Sequence, residues 1–245
     1  RGMRFAATNS TSYWTLQRKA FHNCMRHNSV RAPLNVPDDA GMLKHVPARR
    51  LVIATGNAGK LCEFRSLLAG LPFELTSSAE LGLPAPDETG ATFLANALLK
   101  ARHAAVLSGS AAIADDSGLE VDALSGAPGI YSARYAGLGA DDAANNAKLL
   151  RALAGLPQEQ RRARYRCALV FVENAADATP LIAEADWQGF ILDTPRGGGG
   201  FGYDPYFWLP DLGKTAAELP PAEKNRLSHR GKALRTLRAR LAARP

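Results

Sequence analysis

The sequence predicts an α/β fold from three observations. A short apolar run at residues 51–54 has the length of a strand and leads through a glycine-containing segment into apolar residues at helical spacing. A second apolar run, at residues 111–114, ends on Asp115 and Asp116. Two longer runs, at residues 164–172 and 181–192, are typical of strands joined by a polar turn. At 245 residues, the chain has room for one sizeable α/β domain or for two lobes that share a cleft.

A basic segment precedes these elements. Residues 1–50 contain nine Lys or Arg against Asp38 and Asp39, a net charge of 9 − 2 = +7. The remainder has 30 − 9 = 21 basic and 23 − 2 = 21 acidic residues, so the formal charge of +7 belongs to this segment alone. We place the folded domain at residues 50–245 and expect it to bind no nucleic acid.

The N-terminal extension, residues 1–49, shows no sustained helical or alternating pattern. We expect it to be largely disordered, or to be upstream sequence, because the chain does not begin with Met and Met42 lies shortly before the first strand. A transit peptide is the second interpretation, since the segment is rich in Arg and poor in acids.

The lengths of the apolar runs and the number and spacing of the cysteines indicate the cellular environment of the protein. No apolar stretch approaches the roughly 20 residues that a membrane-spanning helix needs, so we expect no membrane association. The cysteines, Cys24, Cys62 and Cys167, are odd in number and far apart. This pattern favours structural thiols in a reducing compartment, and we expect the protein to be cytoplasmic.

Residues 55–60 follow the first strand as a glycine-rich turn, and the helical spacing begins at Leu61. Such a junction directs backbone N–H groups and a helix N-terminus toward whatever lies above the strand, which suits a phosphate. The segment is not a Walker A loop, because Gly56 and Gly59 are too close together and Leu61 replaces the magnesium-binding Ser or Thr. A structural turn with a lone lysine is the alternative interpretation.

Asp115 and Asp116 form the most informative pair in the chain. A strand that ends at residue 114 delivers both carboxylates onto a Ser–Gly turn, which is a suitable place for a hard cation. Because alternate side chains of a strand project to opposite faces, we expect the two aspartates to diverge and to do different jobs. Ordinary strand-end residues that cap a turn are the alternative.

A helix is predicted over residues 92–107, and another over residues 141–153. Asn96 and Lys100 share one polar stripe of the first helix, which either faces solvent or faces a cleft. Asp87 and Glu88 precede this helix. They either favour its N-terminus electrostatically or complete a metal site with Asp116.

Two further segments lie near the C-terminus. A glycine run at residues 197–205 ends in two aromatic residues and an acid, which indicates a base-stacking platform or, alternatively, aromatic core packing. Ser228 has the properties of an N-cap for the last helix, so that His229 and Arg230 lie in its first turn.

Six motifs, in their order along the chain, resemble the signature set of the inosine triphosphatase family, the non-canonical purine nucleoside triphosphate pyrophosphatases. They span nearly the whole folded domain and are residues 55–60, 88–101, 114–119, 126–134, 200–205 and 228–231. The resemblance implies a mixed β-sheet with flanking helices that form two lobes around a central nucleotide-binding cleft, usually in a homodimer. It also implies Mg²⁺-dependent hydrolysis of ITP, dITP and XTP to the monophosphate and pyrophosphate, which removes deaminated purines from the nucleotide pool.

The resemblance also implies roles for individual residues. Asp116 would be the catalytic base toward a metal-activated water and a ligand of one Mg²⁺ per subunit, with Glu88 or its neighbour Asp87 as the second metal ligand. With these roles, we expect Asp116 to face the glycine-rich segment and Asp115 to point away from it and support the turn. The implied substrate-binding residues are Thr55, Gly56, Asn57, Ala58, Gly59, Lys60, Ser117, Phe201, Gly202, Tyr203, Asp204, Lys224, His229 and Arg230.

Three other functions are compatible with parts of the pattern. A nucleotide sensor would keep the glycine-rich turn and the aromatic residues but would not need Asp116. A nucleic-acid-binding protein would confine binding to residues 1–50. A pyrophosphatase acting on modified pyrimidine triphosphates is the nearest alternative among enzymes.

Overall fold

The computed structural model of the chain describes residues 35–37, 43–45 and 49–243. The chain divides into two compact units, residues 1–48 and residues 49–245. In the first unit, β1 (Asn35–Pro37) and β2 (Leu43–His45) form an antiparallel pair that the sequence did not predict. Apart from these strands and Arg49, the extension predicted at residues 1–49 lies outside the described residues, and its assignment stays a prediction.

The second unit contains a seven-stranded mixed sheet in the order β4, β3, β5, β6, β7, β8, β9. Strand β3 runs parallel to β4 and β5, and every later pair is antiparallel. The strands are β3 (Arg49–Ile53), β4 (Phe73–Ser77), β5 (Ala111–Val121), β6 (Arg162–Val172), β7 (Leu181–Ile191), β8 (Phe207–Leu209) and β9 (Lys214–Thr215). The predicted α/β class with a mixed sheet and flanking helices is confirmed.

Helices cover both faces of this sheet. They are α1 (Ala58–Leu68), α2 (Phe93–Ser108), α3 (Asp142–Ala152), α4 (Pro221–Leu227) and α5 (His229–Ala242). Ile53 packs with α1 and α5, whereas its neighbour Val52 packs with α2. Because neighbouring strand residues face opposite ways, α2 lies on one face and α1 and α5 lie on the other. None of the helices in the described part of the chain is long and apolar enough to cross a membrane.

Side-chain N-caps explain where most of these helices begin. The side chains of Asn57, Thr92, Asp141 and Ser228 each accept a hydrogen bond from the backbone N–H three residues later. An N-cap of this kind satisfies one of the donors that a helix leaves unpaired. The predicted N-cap at Ser228 is confirmed.

Apolar clusters occupy the two ends of the long strands. Toward the N-terminal half of β5, Ala111 and Ile113 belong to the cluster under α1 and α5. Toward its C-terminal end, Leu119 and Val121 join a separate cluster that includes residues of β6, β7, β8 and α3. Residues 115–118 lie between these clusters, so β5 carries a polar segment through the middle of the domain.

The prediction that the strand ends at residue 114 and turns at Ser117 and Gly118 was wrong. Strand β5 continues to Val121, because β6 provides an antiparallel partner for each residue from Ala112 onward. On its other side, β5 pairs with β3 from Ala111 to Ile113 and no further. Over residues 114–118 the described sheet puts no strand on that side of β5, and this open edge lies at the carboxyl end of β3. At its far end, the Leu119 amide donates to Ser132 Oγ at 2.9 Å. Ligands of α/β sheets bind at such strand ends.

Gly118 should tolerate no side chain. An added Cβ would lie 2.4 Å from the Gly129 carbonyl oxygen and 2.6 Å from Ser132 Oγ. We expect Gly118→Ala to lower the free energy of unfolding by about 1 to 3 kcal/mol, as overpacking typically does. Urea denaturation against Gly198→Ala provides the control, since an added Cβ there meets no described atom within 4 Å. Equal midpoints for the two variants would contradict the prediction.

Candidate active site

The glycine-rich segment leaves the carboxyl end of β3 and enters α1. The Asn57 side chain caps the helix by accepting from the Lys60 amide at 2.9 Å, and Thr55 Oγ1 accepts from the Asn57 amide at 3.2 Å. The helix begins at Ala58, earlier than the spacing indicated, so Lys60 lies in its first turn. Its side chain therefore projects from a helix N-terminus toward β5.

Asp115 receives that lysine. Its Oδ2 atom lies 2.9 Å from Lys60 Nζ and 3.0 Å from Arg230 Nε, and it accepts from Ser117 Oγ at 2.7 Å. The side chain is buried, and burial alone would raise the pKa of Asp115. The charges of Lys60, Arg230 and Lys100 outweigh that effect and hold the pKa well below its ordinary value. Asp115 is therefore a permanent anion that holds two cations in place.

The expected divergence of the two aspartates is confirmed, but the sides are not the predicted ones. Sequence reasoning placed Asp116 toward the glycine-rich segment and directed Asp115 away from it. In the structure, Asp115 contacts Lys60 and shares its face with Ser117, whereas Asp116 faces α2. The alternation of β5 sets this arrangement, because residues 115 and 117 point to one face and residue 116 points to the other.

Asp116 meets the polar stripe of α2. Its Oδ1 atom lies 2.7 Å from Lys100 Nζ, and its Oδ2 atom accepts from Asn96 Nδ2 at 3.3 Å. Of the two interpretations of this stripe, the one in which it faces solvent is wrong, because Asn96 is buried and Lys100 contacts Asp116. Desolvation by burial raises the pKa of Asp116 above its ordinary value, although the charge of Lys100 acts in the opposite direction. A carboxylate with a raised pKa is a better proton acceptor than a free aspartate.

Glu88 approaches the same lysine, and Asp87 does not. Glu88 Oε1 lies 3.0 Å from Lys100 Nζ, and its Oε2 lies 2.7 Å from Arg134 Nη1. Asp87 is exposed. Burial acts to raise the pKa of Glu88, but Lys100 and Arg134 hold it below its ordinary value, so the side chain stays ionised. Of the two neighbouring acids, Glu88 is the one that the fold brings toward Asp116.

Asp116 and Glu88 share Lys100 and suit a hard cation. Within the described residues, no group of three or more His, Cys, Asp or Glu side chains forms a complete metal site. Mg²⁺ does not require one, because it commonly binds through one or two carboxylates, with waters and substrate phosphates completing its octahedral shell. The two carboxylates therefore fit the metal that the sequence implies, whereas Asp87 lies outside the pair.

The two aromatic residues of the turn at residues 200–205 differ in their surroundings, and each fits one of the two interpretations. Tyr203 is buried and donates to the Ser132 carbonyl oxygen at 2.8 Å, so it is a core residue. Phe201 is half-buried, and its ring lies against Gly59, where an added Cβ would approach Cδ1 to 2.6 Å. Phe201 thus forms an aromatic wall next to the glycine-rich segment. Asp204 is buried beneath it and accepts from the Phe201 amide at 2.9 Å.

Lys224 and Arg230 are held by buried acids. Lys224 Nζ lies 2.7 Å from Asp204 Oδ2 and 3.3 Å from Glu63 Oε1, and 4.6 Å from the centre of the Phe201 ring. Arg230 Nη1 donates to Glu63 Oε2 at 2.5 Å. Both cations are thus neutralised within the domain while remaining beside the aromatic wall.

Sequence reasoning missed Glu63. Its position in α1, among apolar residues at helical spacing, suggests an exposed side chain, yet it is paired with two buried cations. The cations hold the pKa of Glu63 below its ordinary value against the opposing effect of burial. The one available signal is its spacing, since Glu63 lies three residues after Lys60 and therefore on the same helix face.

His229 is buried and stacks on Tyr165, with ring centres 4.7 Å apart and an interplanar angle of 7°. Burial, followed by the charges of Arg230 and Lys224, lowers the pKa of His229 well below its ordinary value. The imidazole is therefore neutral at physiological pH. Its Nδ1 atom has no hydrogen-bond partner among the described residues.

The fold and this site define an α/β protein in which a helix N-terminus and lysines surround two divergent aspartates beside an aromatic wall, a set of groups that suits a polyanionic ligand. The chain belongs to the Ham1 family, which it matches over residues 51–240.

Curated relatives and solved structures agree with this membership. A dITP/XTP pyrophosphatase of Thioalkalivibrio sulfidiphilus is 55% identical over 195 residues, which cover 80% of this chain and 100% of the relative. A protein of the same name from Pectobacterium atrosepticum is 56% identical over 189 residues, 77% of this chain and 96% of that protein. The structure of a HAM1 protein from Coxiella burnetii has a TM-score of 0.74 at 45% identity and covers 80% of this chain and 100% of its own.

Proposed function

We propose that this protein hydrolyses the non-canonical purine nucleoside triphosphates ITP, dITP and XTP to the monophosphate and pyrophosphate, and so removes deaminated purines from the nucleotide pool. The observation that carries the proposal is the joint placement of Asp116, Lys100 and Glu88 next to Asp115, the residue that binds Lys60 of the glycine-rich segment. The chain is also about 55% identical to dITP/XTP pyrophosphatases over nearly their whole length.

The triphosphate binds at residues 55–60 in this proposal. The N-terminus of α1 offers unpaired backbone N–H groups and the positive end of the helix dipole, both of which favour phosphate. Lys60 supplies a full positive charge that Asp115 positions from below. Ser117 lies on the same face, so its hydroxyl can exchange the Asp115 bond for a phosphate oxygen.

Asp116 acts as the general base. It accepts a proton from the attacking water, whose oxygen bonds to the α-phosphorus while the bond to the β-phosphate oxygen breaks and pyrophosphate leaves. Lys100, which lies between Asp116 and Glu88, stabilises the charge that develops on the phosphates. Mg²⁺ held by Asp116 and Glu88 would neutralise phosphate charge and make the water more acidic.

The purine binds against Phe201, with Gly202, Lys224, His229 and Arg230 around it. Hypoxanthine and xanthine carry a carbonyl at C6, where adenine carries an amine. A neutral His229 and the cationic edge of the pocket offer donors to that carbonyl, and adenine would leave such a donor unpaired at a cost of about 1 to 3 kcal/mol. Tyr203 and Asp204 support this wall from the core side.

We further propose that the protein is a cytoplasmic homodimer.

Turnover across a nucleotide panel tests the proposed function. We expect pyrophosphate release from ITP, dITP and XTP in Mg²⁺ at rates at least about tenfold above those for ATP and GTP, the range in which one polar contact discriminates. Activity should vanish in excess chelator and return when Mg²⁺ is restored. Release of inorganic phosphate instead of pyrophosphate, or binding of ITP without turnover, would contradict the proposal, and the second result would favour a nucleotide sensor.

A further inference from the structure

Helix α3 holds the backbone of the turn that carries Phe201. The Gly202 amide donates to Asp142 Oδ2 at 2.7 Å, and the Gly202 carbonyl accepts from Asn146 Nδ2 at 3.0 Å. Asp142 and Asn146 are four residues apart and therefore lie on one face of the helix. Both backbone hydrogen-bonding groups of Gly202 are thus held by a single rigid element.

The hydrogen bonds of Gly202 with Asp142 and Asn146, called the clamp below, act at a residue whose conformation is otherwise easily changed. Gly202 has a φ of +64°, in the left-handed region that glycine adopts without strain and leaves as readily. Asn146 is only 7% exposed, and its Nδ2 also donates to the Asp142 carbonyl at 2.8 Å. The clamping side chain is therefore fixed on its own helix before it reaches the turn.

The clamped residue sets the position of the aromatic wall. On the other side of the turn, the Phe201 amide donates to Asp204 Oδ2, and Asp204 also accepts from Tyr165 OH at 3.1 Å. Phe201 thus lies between an anchor in the core and an anchor on α3, with its ring against Gly59. Any shift of Gly202 changes the distance between this ring and the glycine-rich segment.

We infer that Asp142 and Asn146 are positioning residues for selectivity between purines, and in particular for the exclusion of guanine. The inference rests on the proposed function. Guanine shares the C6 carbonyl of hypoxanthine and differs from it by an amino group at C2, so O6 recognition alone cannot separate them. In the proposed function Phe201 covers the face of the purine, and the backbone of Gly202 lies beside it. A turn that excludes an amino group at the edge of the purine must be unable to retreat by the width of that group. Hydrogen bonds from a packed helix to the wall's backbone provide that rigidity.

Equilibrium binding of ITP and GTP to the full chain in excess chelator tests this inference. In Asn146→Ala, we expect weaker binding of ITP and less complete exclusion of GTP. The ratio of the GTP to the ITP dissociation constant should fall by about tenfold, at the low end of what one small group contributes in a fitted pocket. The same loss is expected in Asp142→Ala, whose wild-type side chain is only half-buried. It therefore provides the test even if Asn146→Ala does not fold.

Two control variants separate positioning from general stability. Asn145 is also buried on α3, but its side chain bonds the Ala136 amide and the Ala133 carbonyl instead of the turn. Asn145→Ala should therefore lower the melting temperature without changing the binding ratio. Asp142→Asn retains an oxygen that can accept from the Gly202 amide, so it should keep the wild-type ratio.

The outcomes are distinguishable from failure of the proposed function. Binding in chelator requires no turnover, so it can be measured even if wild-type protein releases no pyrophosphate from ITP in Mg²⁺. An unchanged binding ratio in both Asn146→Ala and Asp142→Ala overturns the inference. Wild-type protein that binds ITP and GTP equally also overturns it, as does an equal loss of selectivity in Asn145→Ala.

Discussion

Asp116→Asn is expected to lower turnover of ITP by about 100- to 10,000-fold, the contribution of a positioned general base. Asparagine keeps the size of the side chain and one oxygen, which can still accept from Lys100, but it cannot accept the proton of the attacking water. Because Lys100 retains Glu88 as a partner, the melting temperature should change little. Steady-state kinetics in Mg²⁺ and thermal unfolding of the same preparations measure the two effects.

The neighbouring acids provide the matched controls for this prediction. Glu88→Gln should raise the Mg²⁺ concentration needed for half-maximal turnover and lower the rate, since it removes one of the two proposed metal ligands. Asp87→Asn changes an exposed carboxylate one position away and should leave turnover near the wild-type value. Full activity of Asp116→Asn would refute the role of Asp116 as base. Loss of activity in Asp87→Asn would contradict the choice of Glu88 over Asp87 as the second metal ligand.

Asp115→Asn is expected to lower the free energy of unfolding by about 3 to 5 kcal/mol, the cost of removing one partner from a buried ion pair. Asp115 is buried, and its carboxylate is the shared partner of Lys60 and Arg230. Without that charge, Arg230 keeps Glu63 as its only close acidic partner among the described residues. The main effect of this substitution is thus on stability, whereas that of Asp116→Asn is on chemistry.

Urea denaturation measures this effect, and an ion pair on the same strand provides the control. Glu120 in β5 pairs with Arg164 at 2.7 Å, but the arginine side chain is 39% exposed. Glu120→Gln should therefore cost less than about 1 kcal/mol. If Asp115→Asn costs no more than Glu120→Gln, the buried cations do not depend on Asp115 for their stability.

The sequence predicted the elements whose signals are local. The helices over residues 92–107 and 141–153 lie within one residue at each end of α2 and α3, and the last helix begins directly after the predicted N-cap at Ser228. The long strands β6 and β7 were predicted to within two residues at each end. Periodicity and capping depend only on neighbouring residues, so they can be read without a tertiary structure.

The missed elements depend on their partners. Strands β8 and β9 have three and two residues, too few for a periodic signal, and β4 is a five-residue edge strand in which only Ser77 is buried. Helix α4 has seven residues and was not predicted as a separate helix. The continuation of β5 through Gly118 was missed because glycine there reflects close approach by Gly129, a residue distant in sequence.

The sequence by itself determined the chemical groups of the site: the glycine-rich turn into a helix, two adjacent aspartates after an apolar run, the Asn96 and Lys100 stripe, and the aromatic turn. Local spacing is sufficient to identify such groups. Only the tertiary structure decided which aspartate contacts Lys60 and which contacts Lys100, and that Glu88 and not Asp87 approaches Asp116. It also decided that Glu63 pairs with two buried cations and that Asn146 bonds the Gly202 carbonyl. These assignments depend on which face of β5 each helix covers and on pairs of residues distant in sequence, and no local pattern contains that information.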